Sequence, residues 1–226
     1  VMEQMLIYLD KIFRRIPWLK YYEIKARYSS FDAEQFYLKT SQVEFLDRYN
    51  ITKINYACGK NYLTGWLNVD CYDERHYKKE RKECIYYRVN LITKHPFPDN
   101  CFEFGFAEDF LEHIQQDDSI IFLAECYRTL KPDGLLRLSF PGLEGVLKKH
   151  YNEINYKTFL KAKQEAFTIW DHLHFYSRDE LKLVAEHIGY REVNFVEHGV
   201  SKFPELNSLD TRKDQIGLNT YVELRK

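Results

Sequence analysis

The sequence has no run of 18 or more apolar residues, so no transmembrane helix is expected. It also has no excess of charge of one sign: 33 Lys and Arg stand against 34 Asp and Glu, a formal net charge of −1. Nothing here forms a strongly basic field, so nucleic acid is not a favoured partner, with a local basic patch as the alternative left open. Paired cysteines are missing too. Cys58, Cys71, Cys84, Cys101 and Cys126 are odd in number and include no CxxC spacing. That argues against a disulfide framework or a thiolate zinc centre, and it fits free thiols in a reducing cytoplasm. No GxGxxG occurs, so the glycine-lined helix start that a dinucleotide pyrophosphate needs is absent, and a nicotinamide-dependent oxidoreductase is disfavoured. Internal repeats, low-complexity tracts and Pro/Gly linkers are likewise missing. The opening stretch from Met2 to Arg15 carries Glu3 and Asp10 and no small-residue cleavage site, so it is not expected to be a signal peptide.

What is present is a chain of 226 residues with 45% hydrophobic and 30% charged residues, enough for one domain with a sizeable core. Aromatics reach 16%, which suits thick cores or pockets for flat ligands. Residues 1–50 read as an N-terminal helical extension of two or three short helices. Met5, Leu6, Leu9, Phe13 and Ile16 recur at helical spacing and stop at Pro17. Such a stripe packs on the domain. A contact in a homodimer, a lid over the site and a membrane-surface helix are the alternatives.

Residues 51–226 alternate strand and helix signals. Strands are expected at Thr52–Tyr56, Trp66–Asp70, Ile85–Val89, Phe102–Ala107, Leu135–Phe140, Glu192–Glu197 and Asn219–Leu224. The charged stretch Asp73–Glu83 reads as exposed loop or helix. His95-Pro-Phe-Pro-Asp-Asn100 reads as a turn. Asp117, Asp118 and Ser119 offer capping oxygens to a helix with Ile120, Leu123, Ala124 and Tyr127 on one face, closed by Lys131-Pro-Asp-Gly134. A second helical stretch covers Asn155–Trp170, with Phe159, Ala162, Ala166 and Ile169 in line. Ser177 and Glu180 have capping-box spacing ahead of Leu181, Val184, Ala185 and Ile188, with Gly189 as the stop. The alternation predicts an α/β fold: a Rossmann-like, doubly wound, mainly parallel seven-stranded sheet with helices on both faces. In such sheets ligands bind beyond the carboxyl ends of the strands. That rule points to Ala57–Gly59, Asp70, Asn90, Ala107–Asp109 and Pro141.

The segment Ala57-Cys-Gly59 follows a strand with small residues, which lets a ligand approach the backbone; a tight turn without a ligand is an equal reading. Asp70 at the tip of the next strand can accept hydrogen bonds from both hydroxyls of a ribose, or serve only as a turn aspartate. The combination is more specific. Ala57-Cys-Gly59, Gly65-Trp-Leu-Asn-Val-Asp70, His95-Pro-Phe-Pro-Asp99, Leu111-Glu-His113, Arg128-Thr-Leu-Lys-Pro-Asp-Gly134, Phe140-Pro-Gly142 and His174-Phe-Tyr-Ser177 follow one another in order. Together they resemble the class I S-adenosylmethionine-dependent methyltransferases, closest to a small branch of the methyltransferase type 11-like group. The resemblance runs from about Ile54 to Lys226.

That resemblance implies S-adenosylmethionine as cofactor. Ala57, Cys58 and Gly59 would lie under the methionine part and Asp70 would hold the ribose. Asn90 and Leu91 would sit beside the adenine, and Ala107 and Glu108 would border the methionine end. Asp109, His113 and His174 would face the acceptor. It also implies methyl transfer to a small-molecule or saccharide acceptor, since the Asn-Pro-Pro-Tyr motif of amino-directed nucleic-acid methylases is absent. A general base for a hydroxyl acceptor would come from Glu108, Asp109, His113 or His174, with His174 in the best pKa class.

Three departures stand out. Ala57 replaces a glycine and is tolerable only if it keeps a negative φ. Asn90 replaces an acid. The segment Ala57–Gly65 is too short for a crossover helix, so either the strand edges lie elsewhere or the connection is unusually tight. The first two also favour an alternative, a methyltransferase-like domain kept for binding or scaffolding. His172 and His174 share one face of an extended segment, but no third ligand is evident nearby, and no metal is expected.

Overall fold

A computed structural model describes residues 51–71 and 85–226. The expected N-terminal helices, any homodimer contact through them and the charged stretch Asp73–Glu83 lie outside the described residues. Within them the strands are β1 (Lys53–Tyr56), β2 (Leu67–Asp70), β3 (Ile85–Arg88), β4 (Phe102–Glu108), β5 (Leu130–Pro141), β6 (Glu192–Phe195) and β7 (Asn219–Arg225). They form a seven-stranded sheet in the order β3-β2-β1-β4-β5-β7-β6. The first five pair in parallel, and β7 runs antiparallel between β5 and β6. Order reverses at β1, where β2 leaves on one side and β4 on the other. A doubly wound sheet opens its ligand crevice at that switch point.

The β1–β2 connection settles the length question raised by the sequence. Residues 57–66 join two adjacent parallel strands with no helix. A helix would have satisfied its own backbone, so the loop needs other partners. Two buried amides in mid-strand supply them. Asn68 accepts from the Leu63 N–H at 2.8 Å and donates to the carbonyls of Leu63, Trp66 and Ile85. Asn55 donates to the Asn61 carbonyl and to Asn68 Oδ1.

One sheet face is covered by α1 (Gln116–Thr129) and α4 (Arg178–Ile188), whose Phe122, Leu123, Cys126, Leu181 and Ala185 join Ile54, Tyr56, Leu67, Val69 and Leu136 in the main core. The buried stripe of α1 differs from the expected one. Ser119, Phe122, Leu123, Cys126 and Thr129 are buried, whereas Ile120 is exposed. The two hydroxyl residues can face inward because Tyr176 and Tyr56 pair with them there. Capping differs as well. The N-cap is Gln115, without a side-chain bond, and Asp117 and Asp118 sit inside the first turn, where their charge favours the helix dipole. By contrast, Ser177 caps α4 through the Glu180 N–H as its spacing predicts, and Gly189 ends it at φ +120°. Two further helices, α2 (Leu143–His150) and α3 (Tyr156–Lys163, continued by a π-helical turn to Thr168), lie beyond the end of β5. Ala162 and Ala166 are buried as expected, but Ile169 is exposed.

Among the described residues, the other face is covered by the segment 196–218. Trp66, Phe106, Leu135 and Leu206 form its apolar part. Arg137 on β5 fastens it. Fully buried, Arg137 uses five donor hydrogens on Asp210 Oδ1 and Oδ2, Glu223 Oε1, and the carbonyls of Val200 and Glu197. Asp210 also accepts from the Gly199 N–H. The strap is thereby fixed from below, and Thr211 and Arg212 are carried to the rim of the strands.

The family motifs distant from the rim have structural explanations. Arg128 donates to Glu125, Asp99 and the carbonyls of His95 and Phe97, locking the proline-rich turn to α1. His95 is buried against Tyr56 and Phe122, and its imidazole pKa is pushed down to about 4, chiefly by burial.

Candidate active site

Register places the carboxyl ends of the parallel strands side by side: Tyr56 beside Val69 and Ala107, Asp70 beside Arg88, Glu108 beside Ser139. Two cavities open along this rim. The first, of about 590 Å³, is lined by Ala57, Cys58, Gly59, Glu108, Asp109 and Arg212, among others. The second, of about 580 Å³, is lined by Asp109, His113, Trp170, His172, Phe175 and Arg212, among others. Both fall in the range of small-molecule sites. They share Asp109, Arg212 and Asp214.

The first cavity is built from the turn after β1. Ala57 has φ +47°, against the negative value the sequence reading required of it. A left-handed non-glycine residue is costly and persists only where its surroundings over-determine it. Here the Cys58 N–H bonds the Val69 carbonyl at 3.1 Å, the Asn61 N–H bonds the Cys58 carbonyl at 2.8 Å, and the Gly59 N–H bonds Asp70 Oδ2 at 2.9 Å. Gly59, at φ +50°, has open space where a side chain would begin. Asp70 is buried, and its Oδ1 accepts from the Cys71 N–H. The turn and the acid of β2 are thus one hydrogen-bonded unit. Asp70, Asn90, Leu91 and Ala107 are buried nearby and are not among the lining residues; Asp70 reaches the cavity only through its bond to the Gly59 N–H. Asn90 Oδ1 accepts from the Ile92 N–H, and Leu91 belongs to the main core.

Glu108 ends β4 and clasps the strap, accepting from the Thr211 N–H at 2.7 Å and from the Thr211 hydroxyl. Asp109 follows at φ +53°, with its N–H on the Ser139 carbonyl. Its Oδ2 lies 2.9 Å from Arg212 Nε, and its Oδ1 accepts a long 3.4 Å bond from Asn219. Burial pushes the Asp109 carboxyl up to about 6; Arg212 opposes that shift and Glu108 adds to it. A carboxyl in this range, at the point where two cavities meet, can exchange a proton near neutral pH.

The remaining expected residues separate. His113 is in the second cavity, its ring 4.9 Å from that of His172 and its pKa lowered by burial. His174 lines neither cavity. It pairs with Glu180 at 3.1 Å and packs edge-on against Tyr176. The expected grouping of Glu108, Asp109 and His174 around one space is therefore not found, and His172 and His174 do not share a face as strict alternation would have it: His172 lines the second cavity, whereas His174 pairs with Glu180 of α4. Arg212, Glu112 and His172 are site residues that the expected set of binding and catalytic groups omitted. His172 had drawn notice only as a partner for His174, and nothing in the spacing of Arg212 marks it, because a strap anchored 75 residues away in sequence delivers it.

Comparisons with known proteins agree with this architecture. Residues 56–138 match the family described as "Methyltransferase domain". No curated protein matches the chain. Among solved structures, an S-adenosylmethionine-dependent methyltransferase from Archaeoglobus fulgidus is similar at 14% identity and a TM-score of 0.52, over 91% of this chain and 100% of that one. Another from Thermotoga maritima is similar at 16% identity and a TM-score of 0.54, over 96% and 99%. Phosphoethanolamine N-methyltransferase 2 of Haemonchus contortus, solved in complex with S-adenosyl-L-methionine, is similar at 14% identity and a TM-score of 0.51, over 83% of this chain and 52% of that protein. Residues 56–138 thus match the methyltransferase-domain family, and the seven-stranded sheet has the fold of S-adenosylmethionine-dependent methyltransferases.

Proposed function

We propose that the protein transfers a methyl group from S-adenosylmethionine to a small-molecule or saccharide acceptor held in the second cavity. The observation that carries this reading is the pair of similar-sized cavities meeting at Asp109 and Arg212. In this reading the first cavity takes the cofactor. Asp70 receives the ribose hydroxyls on the lone pairs that Gly59 and Cys71 leave open, and the Ala57–Gly59 turn lies under the amino-acid tail. Asn90 and Leu91, expected beside the adenine, and Ala107, expected at the methionine end, stand behind this cavity and do not line it. The cofactor's sulfonium supplies an electrophilic methyl group, so the hard chemistry is its own.

The chain's residues then align, shield and deprotonate. Phe175 and Trp170 give the second cavity an aromatic wall, suited to an acceptor ring or the apolar face of a sugar. Asp109 accepts the proton of an acceptor hydroxyl as it attacks, and Arg212 holds that carboxylate in place. Glu108 positions the strap. His113 lines the acceptor side, whereas His174 supports the loop through Glu180.

Titration calorimetry with S-adenosylhomocysteine tests the cofactor half. Asp70→Ala is expected to weaken binding about 10- to 100-fold, the worth of charge-assisted hydrogen bonds, with the circular dichroism spectrum retained. Unchanged affinity removes the ribose role. A methyl-transfer screen across hydroxylated small molecules and saccharides tests the other half. Tight binding with no turnover on any acceptor would favour the binding-domain reading, to which Ala57 and Asn90 lend support.

A further inference from the structure

Glu112 is buried in the short 3₁₀ turn Leu111–His113, at 1% exposure, and its Oε2 has no hydrogen-bond partner. A carboxylate oxygen in that state costs free energy unless something else satisfies it. Two imidazoles stand beside it. Glu112 Oε1 lies 3.9 Å from His113 Nε2, and one ligand atom from each of Glu112, His113 and His172 falls within 4.8 Å of the others. His172 reaches this place because the Leu173 N–H bonds the Glu112 carbonyl at 2.7 Å, stitching residues 172–174 to the 3₁₀ turn.

Each imidazole is also oriented by a backbone carbonyl. His172 Nδ1 lies 2.7 Å from the Ala166 carbonyl, which makes that nitrogen the donor and leaves Nε2 with its lone pair. The His113 ring donates an N–H to the Asp171 backbone carbonyl. Histidines that bind metals commonly fix the other ring nitrogen in this way. The same burial lowers the pKa of both rings and raises that of Glu112 well above the usual carboxylate range, so a bound metal would displace a proton from Glu112 and none from the imidazoles.

We propose that Glu112, His113 and His172 bind one divalent transition-metal ion of the zinc class, with an open position toward the second cavity. Two imidazoles and one carboxylate are a borderline-soft set that suits zinc, cobalt or iron(II) rather than magnesium or calcium. Three protein ligands leave room for a water or substrate oxygen, as in catalytic sites. Bonds of about 2.0–2.1 Å draw the ligand atoms closer than they stand now, which small side-chain rotations supply. His113 and His172 both line the second cavity, so the open position would take an oxygen or nitrogen of the acceptor. Only that last role rests on the reading of the cavity given above.

The test uses the full chain without cofactor. Co²⁺ is titrated for its visible d–d absorption and then displaced with Zn²⁺. One equivalent of Co²⁺ with strong, four- or five-coordinate absorption is expected, together with a rise in the melting temperature on adding Zn²⁺. Glu112→Gln, His113→Ala and His172→Ala should each weaken Zn²⁺ about 100-fold or more, since even outer partners of metal sites are worth 10- to 100-fold. His187→Ala, on an exposed helix position, should bind as the parent does. Weak six-coordinate absorption in the parent, or equal affinity in the ligand variants, overturns the proposal. If a variant fails to fold, the absorption and melting shift of the parent still decide it. S-adenosylhomocysteine affinity is measured separately, so failure to bind metal leaves the methyl-transfer reading standing.

Discussion

Among the described residues, the buried polar groups beneath the sheet and those at the strand ends are satisfied very differently. Beneath the sheet, Arg137, Asp210 and Glu223 close on one another, and five donor hydrogens of the guanidinium are used. At the strand ends, Glu112 keeps an orphan oxygen, Asp109 has a raised pKa, and Ala57 and Asp109 both sit at positive φ. The first arrangement holds chain to chain. The second bears the cost of a left-handed alanine and of a desolvated carboxyl, and it lies where the cavities are.

The sharpest way to break that contrast is to remove one partner from each cluster. Arg137→Met strands two buried carboxylates and should cost about 3–5 kcal/mol in chemical denaturation. Glu112→Gln removes a group that is not closed in the fold and should change stability by no more than about 1 kcal/mol. Equal losses would mean that both clusters serve the fold. Next in size is Asp109→Asn. With a hydroxyl acceptor it should slow methyl transfer by about 10²- to 10⁴-fold, the usual worth of a general base. The parent's rate should rise with pH through about 6, because Asp109 must be deprotonated to act and its pKa is raised; the variant should lose that limb. A limb near pH 6 that survives in the variant would assign the titration elsewhere. The smallest effect is expected of Ala57→Gly, which relieves a left-handed alanine and should stabilise the domain by about 1 kcal/mol in urea. A loss of stability there would show that the alanine methyl packs usefully and that the turn is not strained.

Much of the sheet is legible in the sequence, because strand runs bounded by turn residues are local signals. Lys53–Tyr56, Leu67–Asp70 and Asn219–Arg225 fall within a residue or two of expectation. The face of α1 is not, since Ser119 and Thr129 go inward on the strength of tyrosine partners far away in sequence. The Ala57–Gly59 turn and its neighbouring acid were visible from motif order, and their hydrogen bond was not. Pairing His113 with His172 needed the backbone stitch between residues 112 and 173, and Arg212 needed a strap whose anchor lies on β5. Groups assembled by tertiary contact leave no spacing to read.

The helix-free link between β1 and β2 bears on how this protein could be altered. Because Asn55 and Asn68 do the work of a missing helix, residues 55 to 70 form one short, continuous module whose internal bonds are nearly all local. A sixteen-residue exchange of this segment between homologous chains is expected to keep the loop only if both asparagines travel with it and Tyr56, Leu67 and Val69 still fit the core. Moving either amide alone would leave the recipient's loop without its scaffold.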